Sequence, residues 1–520
     1  MRRRSVLTLA AGVPAALLTP PAARAGTPVG VPAPPLADPP RQLLLRYAED
    51  TWRSMTAMVD PGTGLPADNV DADLSATSRS RYTSPTNIGC LIWSAVVARE
   101  LGLVSRGETR RRVRAALEAL ACLERHPYSG MFYNWYDPAT GQLLRTWPVD
   151  GSTVHPFLSS VDNAWLAAAL IVAGNDDPAL RASAGRLLAG MDFGFYYDAN
   201  ARGAEFGAGL LRGGFWPERP PNGGVEDNYR GRGPNVWYTG HHYGTLNSET
   251  RIGSYVAIAL GQVPREHYFA MWRTFEPNCD WSWQELKPVG EDRELLGIRV
   301  FEGAYRHRGR QYVPSWGGSM FEALMPDLLV PEARWAPDSW GRNHPVFVQG
   351  QIDHGLHEAR YGHWGFSPSS NPAGGYREYG VDPMGLDPDG YPSDQERTRV
   401  NLGFDGCRDA EPLPTGYGDG VVTPHAVFLA LPYAPAEAVD QLARLRADFD
   451  CYGPGGFHDA VAVRSGAVAH RHLALDQGMV LGALGNLLAG DVLRRRFAPG
   501  PATERLRPLL GIEEFAVPVG

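Results

Sequence analysis

The sequence predicts an all-α protein, an (α/α)6 toroid with long aromatic and Gly-rich loops. About twelve segments carry apolar residues at spacings of three and four, and long Gly/Pro/aromatic stretches separate them. Several of these segments open from polar, Gly- or Pro-marked sequence, which would place a pocket at one end of a barrel of helices. A longer helical solenoid is the alternative, but the sequence shows no fixed-period repeat.

The apolar spacing predicts helices over residues 41–59, 86–101, 108–124, 159–173, 178–191, 245–260, 264–275, 318–329, 339–360, 423–431, 436–449 and 470–489. Start signals support three of them: Ser84-Pro85-Thr86, Asp177-Pro178 and Thr423-Pro424. Short strands are expected within 203–225 and 293–315. The long connections at 127–157, 192–244, 277–317 and 361–422 are expected to carry function, because loops of this length are usually functional.

Composition is that of a soluble globular protein, with 43% apolar and 20% charged residues among 520. No linker divides residues 41–515, so we expect one domain there, preceded by a Pro/Gly-rich linker at 26–40. The net charge of −8 argues against nucleic acid as a partner. After the N-terminal region, no apolar run is long enough to span a membrane.

Residues 1–25 resemble a signal peptide of the twin-arginine type. Arg2-Arg3-Arg4 precedes a mildly apolar stretch from Leu9 to Leu18, and Ala23-Arg24-Ala25 is a small-x-small cleavage site. An ordinary secretory signal is the alternative. Either route predicts a protein that is secreted or held in the cell envelope.

The five cysteines are far apart and form no CxxC pair, which argues against a zinc cluster of cysteines. Cys90 and Cys122 lie in apolar helical sequence and are interpreted as buried packing residues. One disulfide among Cys279, Cys407 and Cys451 is left open.

Eight motifs appear in a fixed order over roughly residues 50–490, most of them at the start of an apolar segment. They are Thr83-Ser84-Pro85-Thr86-Asn87-Ile88-Gly89, Phe132-Tyr133-Asn134-Trp135-Tyr136-Asp137, Ser160-Val161-Asp162-Asn163, Leu246-Asn247-Ser248-Glu249-Thr250-Arg251, Gly261-Gln262-Val263-Pro264, Trp316 to Pro326, Gly374 to Val381, and Val421 to Ala426. Together they resemble the glycoamylase-like superfamily, which includes endo-β-1,2-glucanases and the glycoside-hydrolase-like domains of cyclic β-1,2-glucan synthases.

The resemblance implies an (α/α)6 barrel and cleavage of glycosidic bonds, without fixing the linkage. The chain departs from the synthase-type pattern at one place. There a glutamate follows a Trp-Gly pair, whereas here Trp364-Gly365 leads into Phe366-Ser367-Pro368-Ser369-Ser370. Glu378, a few residues further on, could substitute for the absent carboxylate.

Glycoside hydrolysis generally needs two carboxyl groups across the scissile bond, one as proton donor and one acting on water or on the sugar. The candidate catalytic residues are Glu249, Glu378, Glu322 and Asp162. Glu249 is preferred for its polar flanks at a predicted helix start, although a first-turn acid favoured by the helix dipole would have the same pattern. Glu322 could instead be a buried acid paired with an arginine, and Asp162 could cap its helix.

Aromatic, basic and polar residues on the same loops are predicted to bind substrate. They are Tyr133, Trp135, His241, His242, Tyr243, Arg251, Trp316, Trp364, Arg377, Tyr379 and Asp419. No cofactor and no metal are expected, since the His241-His242 pair has no third ligand at a suitable spacing. The acidic loop 382–394 is interpreted as a solvated turn cluster, with calcium binding as the alternative.

These features favour an exported glycoside hydrolase acting on a glucan or a related oligosaccharide, with β-1,2-glucan as the first expectation. One alternative is a polysaccharide lyase on the same barrel, because His241, His242, Tyr243 and Arg251 could supply a base and neutralise a uronate. The other is a non-catalytic carbohydrate-binding protein, to which the absent carboxylate after Trp364-Gly365 would point.

Overall fold

The computed structural model describes residues 40–278, 284, 286–386 and 417–518. The predicted signal segment, the linker up to residue 39, Cys279, Cys407 and residues 387–394 of the acidic loop lie outside these ranges. The α-helices are α1 (Pro40–Ala57), α2 (Pro85–Glu100), α3 (Arg106–Cys122), α4 (Ser160–Asp176), α5 (Arg181–Ala189), α6 (Arg251–Ala259), α7 (His267–Ala270), α8 (Met320–Leu324), α9 (Glu332–Trp335), α10 (Trp340–Asp353), α11 (Pro424–Ala430), α12 (Pro435–Asp448), α13 (Ala474–Leu488), α14 (Val492–Phe497) and α15 (Pro501–Leu510).

Short antiparallel strands occupy the long connections. They are β1 (Asn69–Asp71), β2 (Leu158–Ser159), β3 (Tyr197–Asp198), β4 (Leu210–Arg212), β5 (Gly214–Trp216), β6 (Val225–Asp227), β7 (Val236–Tyr238), β8 (His242–Tyr243), β9 (Val289–Leu295), β10 (Ile298–His307), β11 (Arg310–Tyr312), β12 (Ser369–Ser370), β13 (Tyr376–Arg377), β14 (Val421–Val422), β15 (Tyr452–Gly453), β16 (Gly456–Phe457), β17 (Ala460–Ala462), β18 (Ala467–Ala469) and β19 (Arg471–Leu473). The longest pairing joins β9 to β10, with Ile298 opposite Leu295 and Ala304 opposite Val289.

Helix–helix contacts connect six of the helices. α2 packs against α4 and α13, α4 packs against α6, and α11 packs against α8 and α13. α2, α4 and α13 are buried along nearly their whole length, and their sequences are correspondingly apolar on every face. These helices therefore form the interior layer, whereas α3, which buries only one face, lies outside.

A second set of helices covers this interior layer. α1 packs on α13 and α2, α3 on α2, α5 on α4, α10 on α8, α12 on α11, and α15 on α6. α14 contacts α4 and α13. Most of the buried apolar residues form one large cluster that reaches from Leu44 to Val517 within the described ranges.

The predicted helices and both strand regions are largely confirmed, with differences at particular places. The description all-α is incomplete because the loops hold β-sheets of two to four strands. The helix predicted from residue 245 begins at Arg251, since residues 245–250 form a turn before it. α9, α14 and α15 were not predicted from the apolar spacing. The prediction that Cys122 is buried is wrong, whereas Cys90 and Cys451 are buried free thiols.

The contact between α6 and α8 depends on Arg251, whose side chain is 0% exposed. Its Nη1 donates to the carbonyl oxygens of Ser248 and Glu322 over 2.9 Å each, and its Nη2 donates to Ala323 O over 2.7 Å. Nε and Nη2 also bond the two carboxylate oxygens of Glu332 over 2.7 and 2.9 Å. One buried guanidinium therefore ties the residues before α6 to α8 and α9.

Glu332 is the counter-charge that makes this arrangement possible. It also accepts hydrogen bonds from Tyr255 and His344, at 2.7 and 3.0 Å. Burial by itself would raise the pKa of Glu332, but the charge and hydrogen bonds of Arg251 and His344 outweigh it and lower the pKa to about 2. Glu332 therefore stays ionised at neutral pH and balances Arg251.

No helix among the described residues is long and apolar enough to cross a membrane.

Glu332→Gln should lower the free energy of unfolding by about 3–5 kcal/mol, because it leaves Arg251 charged and unpaired in the interior. The measurement is urea denaturation at neutral pH. Glu49→Gln is the matched control, since Glu49 pairs with Arg53 at the surface and its loss should change stability by less than about 1 kcal/mol. Equal effects of the two substitutions would contradict the role given to Glu332.

Candidate functional site

A cavity of about 750 Å³ opens where the polar turns before α6 and α8 meet the loops that carry β8 and β13. Its volume is in the range of small-molecule and oligosaccharide pockets. The lining residues include His241, His242, Tyr243, Thr245, Ser248, Glu249, Trp272, Phe275, Trp316, Phe321, Glu322, Pro368, Tyr376 and Glu378. Three of the four predicted catalytic carboxylates therefore reach one cavity.

Glu249 lies in the turn that precedes α6 and is held from the neighbouring inner helix. The indole Nε1 of Trp165 on α4 donates to Glu249 Oε2 over 3.0 Å. Burial, followed by the charge of Glu322, raises the pKa of Glu249 well above its ordinary value, and the indole hydrogen bond opposes the shift. The carboxyl thus tends to keep its proton while remaining in the cavity, as a proton donor must.

Glu322 lies one turn into α8 and is fixed by neutral donors. Ser319 caps this helix by accepting from the Glu322 backbone N–H over 3.1 Å. Glu322 Oε2 accepts from the Ser248 hydroxyl over 2.6 Å and from the backbone N–H of Glu249 over 2.8 Å. Burial raises the pKa of Glu322 to about 7, against the effect of the Ser248 and Glu249 donors, and Glu378 adds to the increase.

Glu322 is therefore not the arginine-paired acid that the sequence left open. Arg251 approaches the backbone carbonyl of Glu322, and its charge is taken by Glu332. The negative charge of Glu322 therefore acts directly on Glu249 and adds to the raised pKa of that carboxyl.

Asp162 lies close to this pair but is not among the residues that line the cavity. Its Oδ1 accepts from the Thr86 hydroxyl over 2.6 Å, and its backbone N–H is capped by Ser159 Oγ over 3.2 Å. The helix cap is thus Ser159, and not Asp162. Burial raises the pKa of Asp162, whose charge in turn contributes to the raised pKa of Glu249.

Glu378 lines the same cavity from a different loop. It follows β13, which pairs with β12 through Ser369 opposite Arg377 and Ser370 opposite Tyr376. Glu378 and Arg377 are exposed, and Tyr376 next to them lines the cavity. The Gly-rich loop 374–380 therefore presents a carboxylate and an aromatic ring to the same space.

The edge strand β8 supplies His242 and Tyr243, and His241 directly precedes it. Leu211 pairs with Tyr243 and Arg212 with His242 in the sheet of β3, β4 and β8. His242 Nε2 lies 2.9 Å from Asp198 Oδ2, which orients its ring. His241, His242, Tyr243 and Trp316 all line the cavity, so four of the predicted substrate-binding residues are brought together.

Four predicted substrate-binding residues are placed elsewhere, and these assignments are corrected. Arg251 donates hydrogen bonds to Glu332 and to backbone carbonyls. Trp364 is 0% exposed and Tyr379 packs in a small apolar cluster with Val421. Asp419 accepts from the backbone and hydroxyl of Ser465 and so shapes a turn.

Tyr133 and Trp135 also lie outside the cavity lining. Tyr133 is buried in the core, and Trp135 packs against Trp147 with ring centroids 5.3 Å apart. The motif that contains Tyr133 and Trp135 does not show which of its side chains are buried. Sequence reasoning also missed Trp165, Ser248 and Tyr376; Ser248 and Tyr376 stand directly beside Glu249 and Arg377 in the quoted motifs.

Known proteins share both sequence and fold with this chain. Residues 299–499 match the family model described as "Putative glucoamylase". A cyclic β-(1,2)-glucan synthase of Rhizobium meliloti is 30% identical over 283 residues, which cover 52% of this chain and 8% of that protein. The chain therefore corresponds to less than one-tenth of the length of this curated relative.

Solved structures extend the likeness to nearly the whole chain. An endo-β-1,2-glucanase from Chitinophaga pinensis, in complex with sophorotriose and glucose, has a TM-score of 0.60 at 16% identity and covers 91% of this chain and 98% of its own. One from Talaromyces funiculosus, in complex with sophorose, has a TM-score of 0.60 at 14% identity, covering 92% and 94%. The resemblance to the glycoamylase-like superfamily that the motifs predict is thereby confirmed, in a family-model match over residues 299–499 and in a fold shared with endo-β-1,2-glucanases.

Proposed function

We propose that this protein is a glycoside hydrolase that cleaves a β-linked glucan, with β-1,2-glucan as the first candidate substrate. We also propose that α2, α4, α6, α8, α11 and α13 are the inner ring of an (α/α)6 toroid. The successive contacts of these helices, and the Arg251 bridge between α6 and α8, support that architecture.

One observation carries the functional proposal: Glu249 and Glu322 meet in the cavity with raised pKa values and without a cation between them. A structural carboxylate pair would be expected to be neutralised by arginine or lysine. Two carboxyls left to perturb each other beside aromatic rings are typical of acid/base catalysis on sugars. The names of the similar structures favour a β-1,2-linked glucan.

In the proposed mechanism Glu249 is the general acid. Its raised pKa keeps the proton on the carboxyl until the glycosidic oxygen of the leaving sugar takes it. Glu322, held by Ser248 and the Glu249 backbone, positions Glu249 and supports its protonated form by its own negative charge. Glu378, which lines the same cavity, acts as the second carboxylate, which activates water or the sugar.

The proposed activity is tested by incubating the full chain with a panel of glucans that includes β-1,2-glucan and following reducing ends. Release from a β-linked glucan supports the proposal. Product that absorbs in the ultraviolet as an unsaturated sugar would indicate a lyase. Binding of a polymer without turnover would indicate a carbohydrate-binding protein.

Glu249→Gln should lower kcat/KM on the natural glucan by roughly 10²–10⁴-fold, because the leaving oxygen loses its proton donor. With an aryl glycoside whose leaving group needs no proton, the loss should be much smaller. Steady-state rates on both substrates give the comparison. Glu291→Gln, at a glutamate on the exposed edge of β9, is the control and should leave both rates unchanged. Equal losses of kcat/KM on the two substrates would contradict the assignment of Glu249 as the general acid.

Glu322→Gln should move the alkaline limb of the kcat/KM profile to lower pH. The proposed reaction needs Glu249 protonated, so activity falls as pH rises through its raised pKa. Removing the neighbouring negative charge lowers that pKa, and the proton is then lost at lower pH. The measurement is a pH–rate profile of both proteins on one substrate. An unchanged limb, or a shift to higher pH, would show that the two carboxyls are not coupled in this way.

A further inference from the structure

A second cluster of titratable side chains lies away from Glu249 and Glu322, between α11 and α13. His425 is on α11, Asp476 is in the first turn of α13, and Asp459 lies between β16 and β17. All three side chains are at least nine-tenths buried. They line a separate small cavity of about 10 Å³, enough space for one ion or one water.

Each of these residues has one buried side-chain atom outside the hydrogen-bond network, and the Asp459 and Asp476 carboxyls lie within reach of each other. The atoms are His425 Nδ1, Asp459 Oδ1 and Asp476 Oδ2. One ligand atom from each residue lies within 4.8 Å of the others. Buried polar atoms without a partner cost free energy, so three of them on neighbouring side chains indicate that the cluster lacks a partner.

The imidazole orientation decides what kind of partner fits. His425 Nε2 lies 3.4 Å from the Thr423 hydroxyl, and with Nε2–H donating to that oxygen, Nδ1 presents its lone pair to Asp476. Nδ1 and Asp476 Oδ2 are 3.6 Å apart, beyond hydrogen-bond distance. Two ligand atoms bound at about 2.1 Å in a tetrahedral zinc site would be about 3.4 Å apart.

The remaining buried cluster with metal-ligand spacing offers a contrast. In that cluster, Asp327, Glu332 and His344, the carboxylates are neutralised by arginines: Arg251 bonds Glu332, and Arg494 bonds Asp327 Oδ2 over 2.6 Å. Among the described residues, by contrast, no arginine or lysine forms an ion pair with Asp459 or Asp476. The charge that would balance these two carboxylates is therefore not supplied by the described part of the chain.

We propose that His425, Asp459 and Asp476 bind one divalent transition-metal ion, with zinc as the ion that fits the donor set best. One imidazole nitrogen and two carboxylate oxygens suit zinc better than calcium or magnesium, which prefer oxygen ligands alone. A neutral imidazole, two carboxylates and a divalent ion sum to zero charge, which suits a buried site. With three protein ligands, a water would take the fourth position of a tetrahedral zinc site.

Such an ion would connect the inner helices with the loop that carries Glu378. Asp459 Oδ2 accepts from the backbone N–H of Ser370 over 2.7 Å. Ser370 pairs with Tyr376 in the β12–β13 ladder, two residues before Glu378. The ion would therefore hold Asp459, and through it this hairpin, against α11 and α13.

The test is the metal content of the full chain. After dialysis against a chelator, the protein is titrated with zinc chloride, and bound metal is measured by plasma mass spectrometry. We expect one zinc per chain and a rise in the thermal midpoint of about 2–5 °C with excess zinc. Cobalt chloride should give the visible absorption of a tetrahedral site. This measurement uses the unaltered protein, so it does not depend on the folding of a variant.

Asp476→Asn and His425→Gln should each abolish stoichiometric zinc binding and the thermal shift. His344→Gln is the matched control, because it alters a buried histidine of the arginine-neutralised cluster and should leave one zinc per chain. A chain that binds no zinc and shows no cobalt absorption would overturn the proposal and assign a shared proton to Asp459 and Asp476. The same holds if His344→Gln removes the metal while Asp476→Asn retains it.

Discussion

The buried ion pair of Arg251 and Glu332 is the interaction on which the candidate site depends. Five hydrogen bonds from one guanidinium reach two carboxylate oxygens and three backbone carbonyls. Those carbonyls belong to Ser248, Glu322 and Ala323, so the guanidinium fixes the spacing between the turn of Glu249 and the first turn of α8. Its cost is the desolvation of a full charge, which Glu332 offsets with the help of Tyr255 and His344.

The ion pair that holds the fold is thus distinct from the carboxyls in the cavity. Arg251 contacts the backbone carbonyl of Glu322 and not its carboxylate, and the positive charge of Arg251 is balanced by Glu332. The carboxyls in the cavity are held by neutral donors: the indole of Trp165, the hydroxyl of Ser248 and a backbone N–H. Neutral donors fix position without cancelling charge. Burial therefore raises the pKa values of both carboxyls, with the charge of Glu322 adding to the shift of Glu249 and the charge of Glu378 adding to that of Glu322.

Much of the fold was predictable, because inner helices such as α2 and α4 are long and apolar enough to be recognised from spacing alone. α9 and α14 span only four and six residues, too few to show a helical period. For the site, polar flanks before an apolar run pointed to Glu249 and Glu322, and both line the cavity. The same flanks could not distinguish Arg251, which turns into the core, from His241, which faces the cavity. That difference is set by partners such as Glu332, which is 81 residues away in sequence.

The position of Glu378 gives a physical account of the absent carboxylate after Trp364-Gly365. Trp364 is buried, and the chain after it is fixed on α8 by the Met320 N–H, which donates to Phe366 O over 3.0 Å. Pro368 is the residue of this segment that lines the cavity, so the segment contributes no carboxylate there. The chain then turns through β12 and β13 and returns to the same cavity with Tyr376 and Glu378. Glu378, ten residues after Pro368, thus lines the cavity that the segment after Trp364-Gly365 also borders. A second carboxylate of the kind that glycoside hydrolysis needs is therefore supplied from a different backbone position.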